Sequence, residues 1–250
     1  MGCIPSYTNE TDFMALLTLK DIGKRYHQGE VEVQALNHID LSVEEGEFAA
    51  LVGPSGSGKT TLLNVIGGLD APSSGSVLLN HTDITHLSEG ELSDFRLFQL
   101  GFIFQAYNLV PVLSALENVE LVMVMQGRHV HERRERAEHY LELVGLKGLM
   151  HRRPSALSGG QQQRVAVARA LAAGPRLVLA DEPTANLDSE NATALLDIMH
   201  RLSHEEKTTF IFSTHDPRVM ERAERIITLR DGIIASDELI AGHPHHDATL

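Results

Sequence analysis

Cysteine is nearly missing from this chain: Cys3 stands alone among 250 residues, so no disulfide can form within it. No apolar run approaches the roughly 18 residues of a membrane-spanning helix. The N-terminus also lacks the basic-then-apolar pattern of a secretory signal, and a cytosolic setting is therefore expected. An excess of basic residues is absent too: 21 Lys and Arg against 34 Asp and Glu give a formal charge of −13, with 14 histidines mostly neutral at pH 7. Such a chain is not built to bind a phosphate backbone non-specifically, and no nucleic-acid partner is expected. What is present is 42% hydrophobic content spread over 250 residues, enough for one large α/β domain with a proper core.

The termini carry weak signals. Met1-Gly2-Cys3-Ile4-Pro5-Ser6 fits the myristoylation pattern M-G-x-x-x-[ST], but so short a pattern arises often by chance. Met14 offers an alternative start, and residues 1–13 are expected to be a disordered extension. The tail at 241–250 contains His243-Pro244-His245-His246, whose histidines are read as incidental surface residues at a frayed end rather than as metal ligands.

The strongest signal is Gly53-Pro54-Ser55-Gly56-Ser57-Gly58-Lys59-Thr60-Thr61, which satisfies G-x-x-x-x-G-K-[ST] at every fixed position. The apolar run Phe48 to Val52 before it reads as a buried strand, and Thr61 to Ile66 after it reads as a helix. In that context the glycines let backbone N–H groups and a helix N-terminus face a polyphosphate. Lys59 reaches the β- and γ-phosphates, and Thr60 can ligate Mg²⁺. A nucleoside triphosphate site is the reading.

Around this loop, Leu17 to Lys24 and Val31 to Val43 carry period-2 patterns joined by a turn at His27-Gln28-Gly29, which suggests an antiparallel sheet. Tyr26, at the end of the first strand, is either a packing residue or a face on which an adenine stacks. Ser88-x-x-Glu91 and Ser114-x-x-Glu117 have capping-box spacing, and His131 to Val144 is an amphipathic, charge-rich helix. Phe102 to Phe104 is a short buried strand ending at Gln105. Arg176-Leu177-Val178-Leu179-Ala180-Asp181-Glu182 is an apolar strand delivering two carboxylates at its C-terminal end, where ligands of open α/β sheets collect. Beside a phosphate loop, Asp181 would hold Mg²⁺ and Glu182 would stand by the γ-phosphate. Thr209 to Thr214 is a third buried strand, ending in His215 and expected to run parallel to the other two. Asp188 fits the N-cap of a helix with Leu195, Leu196, Met199 and Leu202 on one face. Beyond Gly232 the sequence turns polar.

Between the strand signals lies Leu157-Ser158-Gly159-Gly160-Gln161-Gln162-Gln163-Arg164, by physics a helix start suited to an anion. Taken in order, the phosphate loop, Gln105, this stretch, Leu177 to Glu182 and His215 resemble the motif set of ATP-binding-cassette ATPases, over about residues 16–235. The resemblance implies an α/β P-loop NTPase fold over 14–240, with a RecA-like core, an antiparallel β subdomain and an α-helical signature subdomain near 106–160. It also implies ATP and Mg²⁺ as cofactors and a second copy of the chain as partner. Ser158, Gly159, Gly160 and Gln161 of one copy would close on the γ-phosphate bound at Lys59 of the other. Tyr26 corresponds to the adenine-stacking aromatic and Gln105 to the glutamine that senses Mg²⁺ and the attacking water. Glu182 corresponds to the general base, Asp188 to the aspartate that communicates across the dimer, and His215 to the switch histidine; Thr60, Gln105 and Asp181 form the metal set.

Within the family, Gly101 to Leu109, Leu116 to Val119 and Ala180 to Asp188 look like the MacB and LolD group. Arg153 to Leu157 leans toward lipoprotein release, whereas Thr214 to Pro217 and Ala223 to Arg225 lean toward macrolide export. Ala185 departs from the glycine expected there. A transporter ATPase at the cytoplasmic face of the bacterial inner membrane, driving a separate transmembrane permease, is the leading expectation. The alternative is the ATPase of a cell-division or other mechanotransmission complex. The apolar stretch Ala106 to Val119, which carries no charge before Glu117 and contains Leu109, is expected to receive the membrane partner.

Overall fold

A computed structural model of the protein describes residues 15–29 and 31–240. The expected terminal extension and the histidine tail lie outside those residues.

Two strands, β1 (Ala15–Gln28) and β2 (Val31–Glu44), pair antiparallel as their alternating patterns require, and β4 (Ser74–Leu79) and β5 (Thr82–Asp83) extend them into a sheet of order β2-β1-β4-β5. The second sheet contains β3 (Phe48–Val52), β6 (Leu100–Ile103), β7 (Leu177–Asp181), β8 (Thr209–Thr214), β9 (Arg225–Arg230) and β10 (Ile233–Leu239) in the order β10-β9-β3-β8-β7-β6. Only the β9–β10 pair in it is antiparallel.

The central strands are buried on both faces, as parallel strands covered on two sides must be. Side-chain alternation then divides the core. Phe48, Ala50, Val52, Val178, Ala180, Phe210 and Phe212 join one apolar cluster with helices α3 (Ala115–Met125), α4 (Val130–Leu143), α5 (Gly159–Ala172) and α6 (Ser189–Glu206). Their neighbours Ala49, Leu51, Leu177, Leu179 and Ile211 join a second cluster with the antiparallel sheet and with α1 (Lys59–Ile66). Phe48, Phe210 and Phe212 are fully buried, and each contributes roughly 1.5–3 kcal/mol of transfer free energy.

Both capping boxes form: Ser88 caps α2 (Glu89–Gln99) and Ser114 caps α3, each exchanging hydrogen bonds with the glutamate three residues on. The polar stretch after Gly232 folds as β10, which the sequence reading did not foresee. It is an edge strand, mostly exposed, and a strand with one face in water and one free edge carries little apolar pattern. A short helix, α7 (Pro217–Met220), precedes β9.

The register of the parallel strands places Val52 beside Thr214 and Asp181 beside Ser213. The phosphate loop, the carboxylate pair and His215 therefore emerge at one edge of the sheet.

Candidate active site

The loop from Gly53 to Gly58 is shaped by glycines that no other residue can replace without strain. At Gly53 (φ 153°) a Cβ would fall 2.1 Å from the carbonyl oxygen of Leu229. At Gly58 (φ 103°) it would fall 2.7 Å from that of Ala35. Gly58 is also the N-cap of α1 and offers no side-chain cap, so the first-turn N–H groups point out of the helix, together with the positive end of its dipole, as an anion site requires. Lys59, buried at 8% exposure, bends over this loop and donates from Nζ to the carbonyls of Gly53 (2.8 Å) and Pro54 (3.0 Å). Ser57 is buried, and its Oγ has no hydrogen-bond partner among the described residues.

Opposite the loop, Thr60 Oγ1 donates to both carboxylate oxygens of Asp181, at 3.1 and 3.2 Å. The Ser213 hydroxyl donates to Asp181 as well. Glu182 follows in the left-handed region at φ 48°, held there by its N–H, which donates to the Ser213 carbonyl at 3.1 Å. A glutamate in that conformation costs about 1 kcal/mol, and such strain persists where neighbouring structure over-determines it. Its carboxylate meets His215 Nδ1 at 2.8 Å. A cavity of about 570 Å³ joins these groups, lined by Ser55, Gly56, Gly58, Lys59, Thr60, Thr61, Gln105, Glu182, Ala185 and His215.

Tyr26, Ser158, Gly159, Gly160, Gln161 and Asp188 are not in the wall of this cavity. Tyr26 is half-buried beside it: its hydroxyl donates to Asp70 at 2.6 Å and the Lys24 ammonium lies 4.9 Å from its ring centroid. Burial raises the Asp70 pKa, but hydrogen bonds from Lys24 and Tyr26 outweigh that, and the net shift is downward. Ser158 caps α5 through a capping box with Gln161. Gly159 approaches the Tyr107 hydroxyl and Gly160 approaches Asn191, so closely that a Cβ would come within 2.8 and 3.2 Å respectively. None of Ser158, Gly159, Gly160 and Gln161 lines the cavity that Lys59 lines. Asp188 caps α6 by accepting from the Asn191 backbone N–H at 2.9 Å and the Asn191 amide at 2.7 Å; the second of these comes from a side chain the sequence pattern did not single out.

Other supporting residues also escaped the sequence reading. Ser213 orients Asp181 from a neighbouring strand, a pairing only the register reveals. Asn186 donates to the Gln105 carbonyl at 2.9 Å. Arg169 on α5 donates to the carbonyls of Asn108 (2.5 Å) and Tyr107 (2.9 Å), two non-glycine residues at φ 50° and 59°. Leu109, expected to receive a partner, is partly buried and packs against the core. The exposed large apolar residues from 106 to 125 are Val112, Val124 and Met125, at 68%, 48% and 67%.

Residues 36–185 match the family described as ABC transporter. The chain belongs to that family. It is 48% identical over 223 residues to the uncharacterized ABC transporter ATP-binding protein YvrO of Bacillus subtilis, covering 89% of this chain and 97% of that one. Over 222 residues it is 46% identical to the macrolide export ATP-binding/permease protein MacB of Brucella melitensis; the match takes in 89% of this chain but only 34% of MacB. A solved dimeric structure of the ATP-binding cassette MJ0796, from Methanocaldococcus jannaschii, in a post-hydrolysis state bound to ADP and Pi, superposes with a TM-score of 0.84 at 42% identity, over 91% of this chain and 100% of that chain. The protein is an ABC-type ATP-binding subunit that hydrolyses ATP, with the cassette fold. Among the described residues no helix is long and apolar enough to cross a membrane.

Proposed function

We propose that two copies of this ABC ATPase close head-to-tail around two ATP molecules and drive a separate permease at the cytoplasmic face of the bacterial inner membrane, in export or lipoprotein release. The observation that carries this reading is the incompleteness of the cavity. Lys59, Thr60, Asp181, Glu182 and His215 gather on one side, while the Ser158-capped start of α5, the other anion-suited element, contributes nothing to the cavity of its own chain. A second copy supplies it, and the dimeric structure of MJ0796 offers a precedent.

In this assembly the γ-phosphoryl group lies between the N-terminus of α1 with Lys59 on one copy and Ser158 to Gln161 on the other. Glu182 takes the proton of the attacking water, and His215 holds the Glu182 carboxylate in place. Gln105 closes the cavity toward the loop that follows it. The donors Thr60, Asp181 and Gln105 are hard oxygens, and the hydroxyl and carboxylate are already within 3.2 Å of one another, a set suited to Mg²⁺. When bound, the ion supplies neutralisation of phosphate charge.

The permease reading rests on MacB, whose name joins an ATP-binding and a permease function in a chain of which this protein matches about a third. An apolar cleft lined by Leu97, Phe102, Phe104, Leu121, Val122 and Met125, beside exposed Phe98 and Met125, is the surface offered to it. Affinity capture of the chain from solubilised membranes, with and without Met125→Glu, tests this. A permease should co-purify with the wild type and be lost in the variant, while ATP binding is retained. Recovery of a division-complex protein instead would favour the mechanotransmission alternative, and unchanged capture by the variant would place the docking surface elsewhere.

A further inference from the structure

At the other end of the sheet, His200 and His204 stand one turn apart on α6, and Glu224, just before β9, meets them. His204 Nε2 lies 3.0 Å and His200 Nε2 3.5 Å from Glu224 Oε1, and the two imidazole nitrogens are 3.3 Å apart. An ordinary His–Glu ion pair needs one imidazole. Here two ring nitrogens converge on one oxygen and on each other, so that if both carried a proton toward Glu224 the two hydrogens would crowd. A cation shared by the three lone pairs removes that conflict. Zinc–ligand bonds of about 2.0–2.1 Å at tetrahedral angles set the ligand atoms roughly 3.3 Å apart, close to the edges of this triangle.

The ligands are also held from behind. Glu224 keeps its second oxygen 3.4 Å from the Phe48 N–H, its own N–H donates to the Phe48 carbonyl at 3.0 Å, and its carbonyl accepts from Ile240 at 2.8 Å. The His200 ring stands edge-on to Phe48 with centroids 5.1 Å apart. Nearby carboxylates are committed elsewhere: Glu47 to Arg225 at 2.9 Å and Glu45 to Arg176 at 3.0 Å. A cavity of about 420 Å³, lined by Glu44, Glu45, Glu47, His204, Lys207 and Glu224, opens beside the cluster, and Glu44 and Glu224 against Lys207 leave it a small acidic excess that favours entry of a cation. Phe48 begins β3, whose far end leads to the phosphate loop, so this cluster is separate from the ATP cavity.

We propose that His200, His204 and Glu224 bind one zinc-class divalent transition-metal ion, with water in the fourth position, clamping α6 to the segment that precedes β9. Two imidazoles and a carboxylate select such an ion over Mg²⁺ or Ca²⁺.

The test uses the full chain with His243, His245 and His246 replaced by alanine, so that the tail contributes no competing imidazoles. Titration with Co²⁺ should give one equivalent per chain with the visible absorption of four-coordinate cobalt, bleached by stoichiometric Zn²⁺. Zn²⁺ at a hundredfold excess over its dissociation constant should raise the melting temperature by about 5 °C or more. His204→Ala should weaken Co²⁺ binding about 100-fold or more and abolish the thermal shift; its half-exposed ring can be removed without opening the core. His200→Gln, which keeps the bulk against Phe48, should do the same. Absence of the cobalt band, a Zn²⁺ shift undiminished in both variants, or binding that disappears with the tail histidines would overturn the assignment.

Discussion

Replacing Glu182 with glutamine removes one negative charge from the centre of the cavity and little else. The side chain is 18% exposed and its one described side-chain partner, His215, is 72% exposed. The lost contact is therefore open to solvent on the histidine side and worth at most about 1 kcal/mol. Glutamine has a similar tolerance for the left-handed backbone at φ 48°, and its amide oxygen can still accept from His215 Nδ1. Folding and ATP binding should thus change by less than about 1 kcal/mol. Turnover should not survive, because an amide cannot take the proton of the attacking water; loss of a positioned general base costs about 10²–10⁴ in rate, or about 3 to 5 kcal/mol in barrier.

The difference between those two effects is what the assay reads. With hydrolysis blocked and binding intact, ATP and Mg²⁺ should convert Glu182→Gln from monomer to dimer in size-exclusion chromatography with light scattering, and ADP should not. Phosphate release measured on the same sample should fall at least 100-fold. Turnover within about tenfold of wild type, or a loss of ATP affinity as large as the loss of rate, would refute the assignment of Glu182 as base. His215→Ala serves as the contrast: it leaves the base present but unheld, and should lie between wild type and Glu182→Gln.

Three further outcomes are expected. Tyr26→Ala should weaken ATP binding by about 1 to 2 kcal/mol with little change in maximal rate, whereas Tyr26→Phe, which keeps the ring and loses only the Asp70 hydrogen bond, should bind nearly normally; equal affinity in all three proteins by fluorescent-nucleotide titration would make Tyr26 a packing residue. Gly53→Ala forces a Cβ to within 2.1 Å of the Leu229 carbonyl at φ 153°, and combined strain and overpacking should lower stability in urea by about 2 to 6 kcal/mol. Burial and the charge of Glu206 push the Tyr140 hydroxyl up to about 12, so the folded pKa exceeds the unfolded value near 10. Its contribution is then fully present below pH 10 and lost as pH rises toward 12, by about 3 kcal/mol; Tyr140→Phe should flatten that decline in denaturation midpoints, and an unchanged slope would show that the hydroxyl does not titrate with folding.

Much of this architecture could be read from the chain because the features concerned are local. A phosphate loop needs glycines at fixed offsets, a capping box needs Ser and Glu three residues apart, and a strand buried on both faces writes an unbroken apolar run. The phosphate loop, both capping boxes and β3 appear in the fold where the sequence puts them, whereas the strand expected over Phe102 to Phe104 is β6 at Leu100–Ile103. What could not be read depends on partners far away in sequence. Ser213 reaches Asp181 only because β7 and β8 pair in a particular register. Glu224 meets His200 and His204 only because the chain returns to Phe48 after α7. Strand β10 was missed for a different reason: an exposed edge strand need not alternate. Leu109 shows another limit: an apolar residue in a largely uncharged stretch looks exposed or buried with equal ease until its neighbours are known, and here it is partly buried against the core.

The loop after Gln105 is where the cavity and the start of α5 become mechanically connected. Gln105 lines the cavity and its carbonyl is held by Asn186. Two residues on, Tyr107 and Asn108 adopt left-handed conformations whose carbonyls are both taken by Arg169. Arg169 belongs to α5, and the Tyr107 hydroxyl sits against Gly159 at the first turn of that same helix. Two consecutive strained residues cost on the order of 2 kcal/mol, and a loop with that cost has a relaxed alternative unless its tethers hold. Those tethers all run to α5 or to the segment before Asp188. Any displacement of Gln105 at the cavity therefore pulls on the helix whose N-terminus faces the other copy in the proposed dimer, and a shift of that helix pulls back on Gln105. Because α5 also lines the apolar cleft through Arg169 and Ala170, a partner seated there in the proposed assembly is positioned to feel the same movement.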